Sequence, residues 1–159
     1  MTPGRSCAAC RTNVSDADVF CLSCGRLLDE TRDDVRCEQH PEDVARAACV
    51  VCGRPVCSRC GRQVHGATVC DDPGHESINA EWRIVAEVAS PFEADLIIRN
   101  LSLNGIPASG FDQHAHPSRL LLDEPSRVLV YVPADRHAMA TSLLDDLDLR
   151  FESPESSEQ

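Results

Sequence analysis

The chain has 159 residues, enough for one ordinary domain or for two to three very small ones. Its 15 basic residues are all arginine, and against 26 acidic residues they leave a formal net charge of −11. No apolar run approaches the ~18–20 residues of a membrane span, and no apolar signal core precedes Cys7. We therefore expect a soluble, cytoplasmic protein without a membrane span.

All ten cysteines lie between positions 7 and 70, and eight of them form pairs with C-x2-C spacing. A disulfide framework belongs to exported chains, and no export signal is visible. Two thiolates at this spacing can reach one ion from a single tight turn, or knuckle, and two knuckles complete a tetrahedron. The spacing therefore predicts zinc as the inorganic cofactor.

Residues 1–32 form the first predicted zinc module. A chain of this length cannot bury enough apolar area to fold alone, whereas a bound Zn²⁺ supplies on the order of 10–16 kcal/mol. The predicted ligands are Cys7, Cys10, Cys21 and Cys24. The run CAACRTNVSDADVFCLSCGRLL resembles the short zinc ribbons of bacterial and archaeal proteins. It departs from them at Arg11, where that family often has glycine, so we expect a less regular first knuckle.

Residues 35–78 form the second predicted module and hold four further ligand pairs, enough for two zinc ions. The pairs are Cys37 with His40, Cys49 with Cys52, Cys57 with Cys60, and Cys70 with His75. Spacing alone permits both a sequential and a crossed assignment. The ligand count favours Cys70 and His75, because twelve ligands then fill three tetrahedra with no orphan thiol, giving three zinc ions. His65 is the reserve ligand, and Asp71 or Asp72 could substitute as oxygen ligands.

The run CEQHPEDVARAACVVCGRPVCSRC resembles a B-box-type zinc finger, in particular its short bacterial relatives. The resemblance implies a cross-braced arrangement of the two ions. One ion would take Cys37, His40, Cys57 and Cys60, and the other would take Cys49, Cys52, Cys70 and His75. Some B-boxes have a histidine where His65 stands, whereas the bacterial variants resemble the pattern of Val64–Cys70 followed by a further ligand.

Residues 80–151 contain no cysteine and show strand and helix periodicities. Trp82–Val88 alternates as a strand with its even-numbered residues on one face. Ser90 to Glu93 fits a capping box, which predicts a helix from Pro91 to about Leu103 that ends at Asn104-Gly105. The predicted buried stripe of this helix is Ala94, Ile97, Ile98 and Leu101.

The rest of this segment predicts a second strand from Ile106, a polar loop over 110–126, and a strand over Arg127–Val132. A helix follows from Pro133 to about Asp148, with a short last strand at Leu149–Phe151. The apolar residues of that helix are Met139, Leu143, Leu144 and Leu147. Residues 152–159 are polar and charged, and we expect a disordered tail.

The run AEVASPFEADLIIRNLSLNGIPASGF, with VLVYVPADRHAMATSLLDDL after it, resembles a bacterial domain family described as prokaryotic signal-transducing proteins. The resemblance covers about seventy residues and implies a ferredoxin-like fold related to small ligand-sensing domains. The expected fold class is therefore α+β and multidomain, with two small zinc-organised modules followed by a ferredoxin-like β-α-β-β-α domain.

The charge balance disfavours nucleic acid as a partner. Three zinc sites of this kind lower the formal net charge to about −15 if all thiolates stay ionised. Phe20 is the one aromatic residue before position 82, so no stacking platform for bases is evident. Arg54, Arg59 and Arg62 form a small basic cluster, which we interpret as solvated surface.

No catalytic constellation stands out in the sequence. There is no phosphate-cradling glycine loop, G-x-S-x-G or H-E-x-x-H. Cys57 and Cys60 have redox-type C-x-x-C spacing, but no apolar helix follows them, so zinc ligation is the better interpretation. Asp112, His114 and His116 lie in the predicted loop with Asp123 and Glu124 nearby, and we interpret both histidines as exposed and unpaired.

These observations favour a non-catalytic zinc-binding module for protein interaction or regulation in signalling, with a protein as its partner. Three alternatives stay open: a nucleic-acid-associated zinc ribbon, an accessory to a ubiquitin-ligase-like activity, and a redox sensor that releases zinc on oxidation.

Overall fold

The computed structural model describes residues 4–119, 122 and 124–149, except for the side chain of Ser118. The chain divides into two compact units, and each consists of two stretches of sequence. The first unit is Met1–Glu76 with His114–Pro125, and the second is Ser77–Gln113 with Ser126–Gln159. Helices and β-sheets are both present, which confirms the α+β class. The predicted tail at 152–159 lies outside the described residues.

The first unit is built from three short antiparallel hairpins. Their strands are β1 (Arg5–Ser6) with β2 (Asn13–Val14), β3 (Ala47–Ala48) with β4 (Pro55–Val56), and β5 (Arg62–Val64) with β6 (Ala67–Val69). Each strand has only two or three residues, so the ladders contribute few hydrogen bonds. A fold of this kind needs another source of stability, such as bound metal.

Backbone hydrogen bonds join the two predicted zinc modules within this unit. The amide of Ala48 donates to the carbonyl of Gly25 at 2.7 Å, and the amide of Thr68 donates to the carbonyl of Cys24 at 2.9 Å. A shared apolar core accompanies these bonds. Its buried members are Val19, Phe20, Leu27, Val35, Ala45 and Ala48. The modules therefore share both backbone bonds and a core, because residues on either side of position 32 contribute to each.

The second unit contains a three-stranded antiparallel sheet with the order β7-β9-β8. The strands are β7 (Trp82–Val88), β8 (Ser109–Asp112) and β9 (Val128–Pro133). The long helices are α2 (Pro91–Leu103) and α3 (His137–Asp146), and a 3-10 turn at Ala134–Arg136 precedes α3. Among the described residues, no helix is long and apolar enough to cross a membrane.

Helix α1 (Pro73–Glu81) spans the point where the chain passes from the first unit to the second. The sequence analysis did not predict it, because the helix is polar and buries only His75. Its start is nevertheless ordinary: Pro73 is the first residue, and the amide of Gly74 donates to Oδ1 of Asp72 at 2.9 Å.

Helix α2 has the predicted bounds and the predicted caps. Oγ of Ser90 accepts a hydrogen bond from the amide of Glu93, whose own carboxylate accepts one from the amide of Ala89. At the other end, the amide of Ile106 donates to the carbonyl of Leu101, and Gly105 has a φ of 75°. These are the features of a Schellman ending. The buried stripe also follows the prediction, except that Ile98 is only partly buried.

A β-bulge in β7 overturns the predicted alternation of Trp82–Val88. Ile84 pairs with Tyr131 and Ala86 pairs with Val130. Val85 is therefore an extra residue in β7 that has no partner position in β9. Because Tyr131 and Val130 are consecutive, they point to opposite faces, and so do Ile84 and Ala86. Ile84 is consequently 46% exposed, while Val85 and Ala86 pack against the core.

Strand β8 begins at Ser109 rather than at Ile106. The amide of Ile106 is used by the end of α2, and Pro107 has no N–H to donate to a ladder. The strand then runs through Asp112, within the segment predicted to be a loop from residue 110.

Helix α3 is shorter than predicted, and its apolar face is narrower. It begins at His137 after the 3-10 turn, and Ala140 and Leu144 are its buried residues. Met139 is 53% exposed and Leu147, beyond the helix end, is 43% exposed, so these two are not core residues. A strand at Leu149–Phe151 is not described, because the structure describes only Leu149 of these residues, outside any strand.

Candidate metal centres

All four C-x2-C pairs form tight turns with the same backbone bond. In each turn the fourth residue after the first cysteine donates its amide to the carbonyl of that cysteine. The bonds are Arg11 to Cys7 at 2.8 Å, Gly25 to Cys21 at 2.7 Å, Gly53 to Cys49 at 2.8 Å, and Gly61 to Cys57 at 2.9 Å. The four turns therefore share one closing hydrogen bond.

The knuckle at Cys7 is not less regular than the others, contrary to expectation. Arg11 has a φ of 64°, close to the 82° of Gly25 and the 75° of Gly53 at the equivalent positions. Arginine therefore takes the left-handed conformation that glycine takes in two of the other three knuckles, at a cost of about 1–2 kcal/mol. The departure from the ribbon pattern is accommodated as backbone strain and leaves the turn geometry unchanged.

Cluster A consists of Cys7, Cys10, Cys21 and Cys24, which lie together in the first unit. The sulfur of Cys7 is 3.7 Å from that of Cys24, and the sulfur of Cys10 is 3.5 Å from that of Cys21. A tetrahedron with Zn–S bonds of about 2.3 Å has edges of about 3.8 Å. The four sulfurs are therefore spaced as zinc ligands would be. Cys10 is exposed, and the other three cysteines are buried.

Cluster B consists of Cys37, His40, Cys57 and Cys60. The sulfur of Cys60 is 3.4 Å from that of Cys37 and 3.8 Å from that of Cys57. Nδ1 of His40 is 3.7 Å from the sulfur of Cys37 and 3.3 Å from that of Cys57. A tetrahedral zinc site predicts about 3.6 Å between nitrogen and sulfur ligands, so this set also fits the ion.

Cluster C consists of Cys49, Cys52, Cys70 and His75, all of them buried. Nδ1 of His75 is 3.1 Å from the sulfur of Cys70 and 3.8 Å from that of Cys49. Helix α1 presents His75 to the cluster. Oδ2 of Asp72 lies 3.7 Å from the other ring nitrogen of His75, on the side where metal-bound histidines usually have a carboxylate.

The structure brings together the twelve predicted ligands in the crossed arrangement that the B-box resemblance implies. The Cys37–His40 pair groups with Cys57 and Cys60, and the Cys49–Cys52 pair groups with Cys70 and His75. The reserve ligand His65 lies elsewhere, in the two-residue turn between β5 and β6, where it is exposed. His65 and Gly66 both have positive φ, 49° and 79°, as a tight I′ hairpin turn requires.

Burial disfavours ionisation of some of these thiols without a cation, whereas hydrogen bonds from Cys52 and Cys70 lower the pKa of Cys49 to about 3. Burial raises the pKa of Cys24 to about 12, and it likewise raises the pKa of Cys60 to about 12. Hydrogen bonds from the hydroxyl and backbone of Thr12 lower the pKa of the exposed Cys10 to about 6. Because the three or four thiolates of each set repel one another, a divalent cation is the natural partner of each set.

The basic cluster predicted from sequence is paired with acidic residues. Arg54 lies 3.5 Å from Glu38 and 3.7 Å from Asp71, and Arg62 lies 3.3 Å from Glu76. Arg59 donates to both Asp43 and Glu42, at 2.7 and 2.6 Å. These three arginines therefore offer little unbalanced positive potential to a phosphate backbone.

The loop histidines are not exposed and unpaired, as the sequence analysis expected. The side chains of His114 and His116 are only 16% and 14% exposed. Nδ1 of His116 lies 2.6 Å from a carboxylate oxygen of Glu38. Sequence reasoning also missed Arg119, which is 3% exposed, because arginine is ordinarily a surface residue and nothing local marks this one.

Comparison with known proteins gives one match. Residues 32–80 match the family model of the B-box zinc finger. This match confirms the B-box resemblance of that segment, which covers about a third of the chain. No curated protein and no solved structure matches the chain.

Proposed function

We propose that this protein is a non-catalytic zinc-binding module for protein interaction. Three Zn²⁺ ions would be held by clusters A, B and C, and the observation that carries the proposal is that each cluster is a complete set of four Cys or His ligands. Tetrahedral sets of thiolates and imidazoles are the donors that zinc takes in structural sites.

The closed ligand sets support a structural role over a catalytic one. A catalytic zinc site keeps one coordination position for water or substrate, whereas four protein ligands leave none. Nine of the ten cysteines are also buried, which restricts access to the ions. The zinc ions would then stabilise the surface that a partner recognises.

The B-box match supports a protein as that partner, since this finger often serves in protein interaction. We further propose that the second unit is a ferredoxin-like domain with a regulatory role in signalling, and that the protein acts in the bacterial cytoplasm. The support for the fold is the sheet order: β7 and β8 both pair antiparallel with β9 between them, as in a split β-α-β unit.

Metal analysis of the purified full chain tests the zinc proposal. We expect three zinc ions per chain by elemental analysis, and fewer than two would overturn the proposal. His40→Ala is expected to remove one ion. His65→Ala is the matched control, because that histidine is exposed in a turn outside the clusters. Equal zinc content in the two variants would contradict the assignment of cluster B.

The interaction proposal needs a separate measurement. Affinity capture with the full chain is expected to retain a partner that His65→Ala also retains and that His40→Ala loses. A partner retained equally by both variants would mean that recognition does not depend on cluster B. Capture of no protein above background by any form would contradict the interaction role itself.

A further inference from the structure

Three side chains that follow the cysteine-rich region in sequence belong to the first unit. They are His116, Arg119 and Glu124, which we call the clasp. Arg119 ends a 3-10 turn at Pro117–Arg119, and its amide donates to the carbonyl of His116 at 2.9 Å. The sequence analysis gave this stretch no structural role. Its contacts are instead directed at the metal clusters.

Arg119 and Glu124 form a buried ion pair. Their side chains are only 4% and 5% exposed, and Nε of Arg119 donates to Oε2 of Glu124 at 3.1 Å. The other carboxylate oxygen of Glu124 accepts the amide of Val19 at 2.9 Å, and the guanidinium lies 5.2 Å from the ring centroid of Phe20. The two charges therefore neutralise each other. Removing one of the two side chains would leave the other charge buried and unpaired.

Two clasp residues bind the knuckle that supplies two ligands of cluster C. Nη1 of Arg119 donates to the carbonyl of Gly53 at 3.1 Å, and Nε2 of His116 donates to the carbonyl of Cys52 at 2.9 Å. These are consecutive carbonyls in the turn that begins at Cys49. The inner side of the same turn is closed by the amide of Gly53, which donates to the carbonyl of Cys49.

Donors on both carbonyls fix the peptide planes on either side of Gly53, and the first of these planes also flanks Cys52 and so helps to orient its sulfur. Groups that orient metal ligands in this way affect metal affinity by roughly 10–100-fold when they are removed. At clusters A and B the clasp contacts only neighbours of the ligands. These are Val19 and Phe20 before Cys21, and the carboxylate of Glu38 after Cys37. Only at cluster C do clasp residues bind the backbone of a ligand knuckle, so the effect of the clasp should be largest at this ion.

We propose that the clasp retains the zinc ion of cluster C, with His116 and Arg119 as positioning residues for the Cys52–Gly53 turn. This inference rests on the proposed zinc sites. It makes release of this ion dependent on a stretch of chain that is more than forty residues away in sequence and contributes no ligand.

Pulsed alkylation of the zinc-loaded full chain tests the proposal. N-ethylmaleimide is added with a chelator, and mass spectrometry of peptides gives the labelling rate of each cysteine. One variant is His116→Ala. The second combines Arg119→Met with Glu124→Gln, so that no charge is left buried and unpaired. Arg136→Gln is the control, because Arg136 is half exposed and lies in the second unit.

We expect labelling of Cys49, Cys52 and Cys70 to accelerate by roughly 10–100-fold in both variants. The other seven cysteines should stay within about twofold of the unmodified protein, as should all ten in the control. If the labelling of all ten cysteines accelerates equally, the clasp stabilises the whole first unit. If the labelling rates are unchanged, the clasp does not affect zinc retention. Either result overturns the inference.

The zinc content of the unmodified protein separates failure of the clasp from failure of the proposed function. Three ions per chain together with unchanged labelling in the variants would overturn the clasp inference and leave the zinc proposal standing. Fewer than two ions would overturn the zinc proposal, and the inference would fall with it.

Discussion

Replacing Gly25 with alanine tests how tightly the Cys21–Cys24 knuckle is joined to β3. Gly25 has a φ of 82°, and a Cβ at this position would lie 2.3 Å from the carbonyl oxygen of Ala48 and 3.1 Å from Cβ of Thr68. Cβ atoms essentially never approach another atom closer than 3.0 Å. The nearest atom belongs to the backbone, so the chain itself must move.

The cost of this substitution has two parts. A side chain in the left-handed conformation costs about 1–2 kcal/mol. The backbone shift also strains two hydrogen bonds that join the modules, from Ala48 to Gly25 and from Thr68 to Cys24, each worth about 0.5–1.5 kcal/mol. We therefore expect Gly25→Ala to lower the free energy of unfolding by about 2–5 kcal/mol.

Gly66→Ala is the matched control. Gly66 has a φ of 79°, but a Cβ there would have no atom within 4 Å. This variant should lose only the conformational part, about 1–2 kcal/mol. Guanidinium denaturation of the zinc-loaded chain at fixed free zinc, followed by circular dichroism and by zinc release, gives both values. If the two variants are equally destabilised, the reasoning about the junction is wrong.

Three further predictions concern single residues. Arg11→Gly should be about 1 kcal/mol more stable to denaturant than Arg11→Ala, because only glycine relieves the left-handed strain; equal midpoints would refute that strain. Ser90→Ala should lower the stability of the second unit by about 1 kcal/mol through loss of the α2 cap, measured by thermal unfolding, and an unchanged transition would contradict the cap. In the zinc-loaded chain, Cys10 should be the cysteine that iodoacetamide alkylates fastest, because its side chain is exposed whereas the other nine cysteines are buried. Peptide mass spectrometry gives the alkylation rates, and alkylation of the buried thiols as fast as Cys10 would argue against the environment described for Cys10.

Local signals predicted the elements whose cause is local. The caps of α2 depend on residues within one turn of the helix ends, so Ser90 and Gly105 marked them correctly. Knuckle spacing and ligand count identified the twelve ligands, because both are properties of the sequence. Their crossed grouping was implied by the B-box resemblance, since spacing alone also permits a sequential assignment. The knuckle at Arg11 was misjudged because an energetic preference for glycine is not a prohibition of other residues.

The features that were missed depend on distant parts of the chain. The bulge at Val85 is defined by its pairing with β9, which lies more than forty residues later. The environments of His116 and Arg119 depend on carbonyls of Cys52 and Gly53, and carbonyl positions carry no signal in sequence. Polar residues in a stretch without periodicity were therefore interpreted as solvated loop, although their partners are buried.

The discontinuity of the first unit has a consequence for how the protein is made and how it should be divided. Its ten cysteines are all translated by residue 70, yet Glu124, near its end, is synthesised only after two of the three strands of the second unit's sheet, β7 and β8. Folding during translation must therefore pass through a state in which the thiols are present and the Arg119–Glu124 pair is not. A recombinant fragment that stops at the end of α1 would reproduce that unfinished state and not the mature unit.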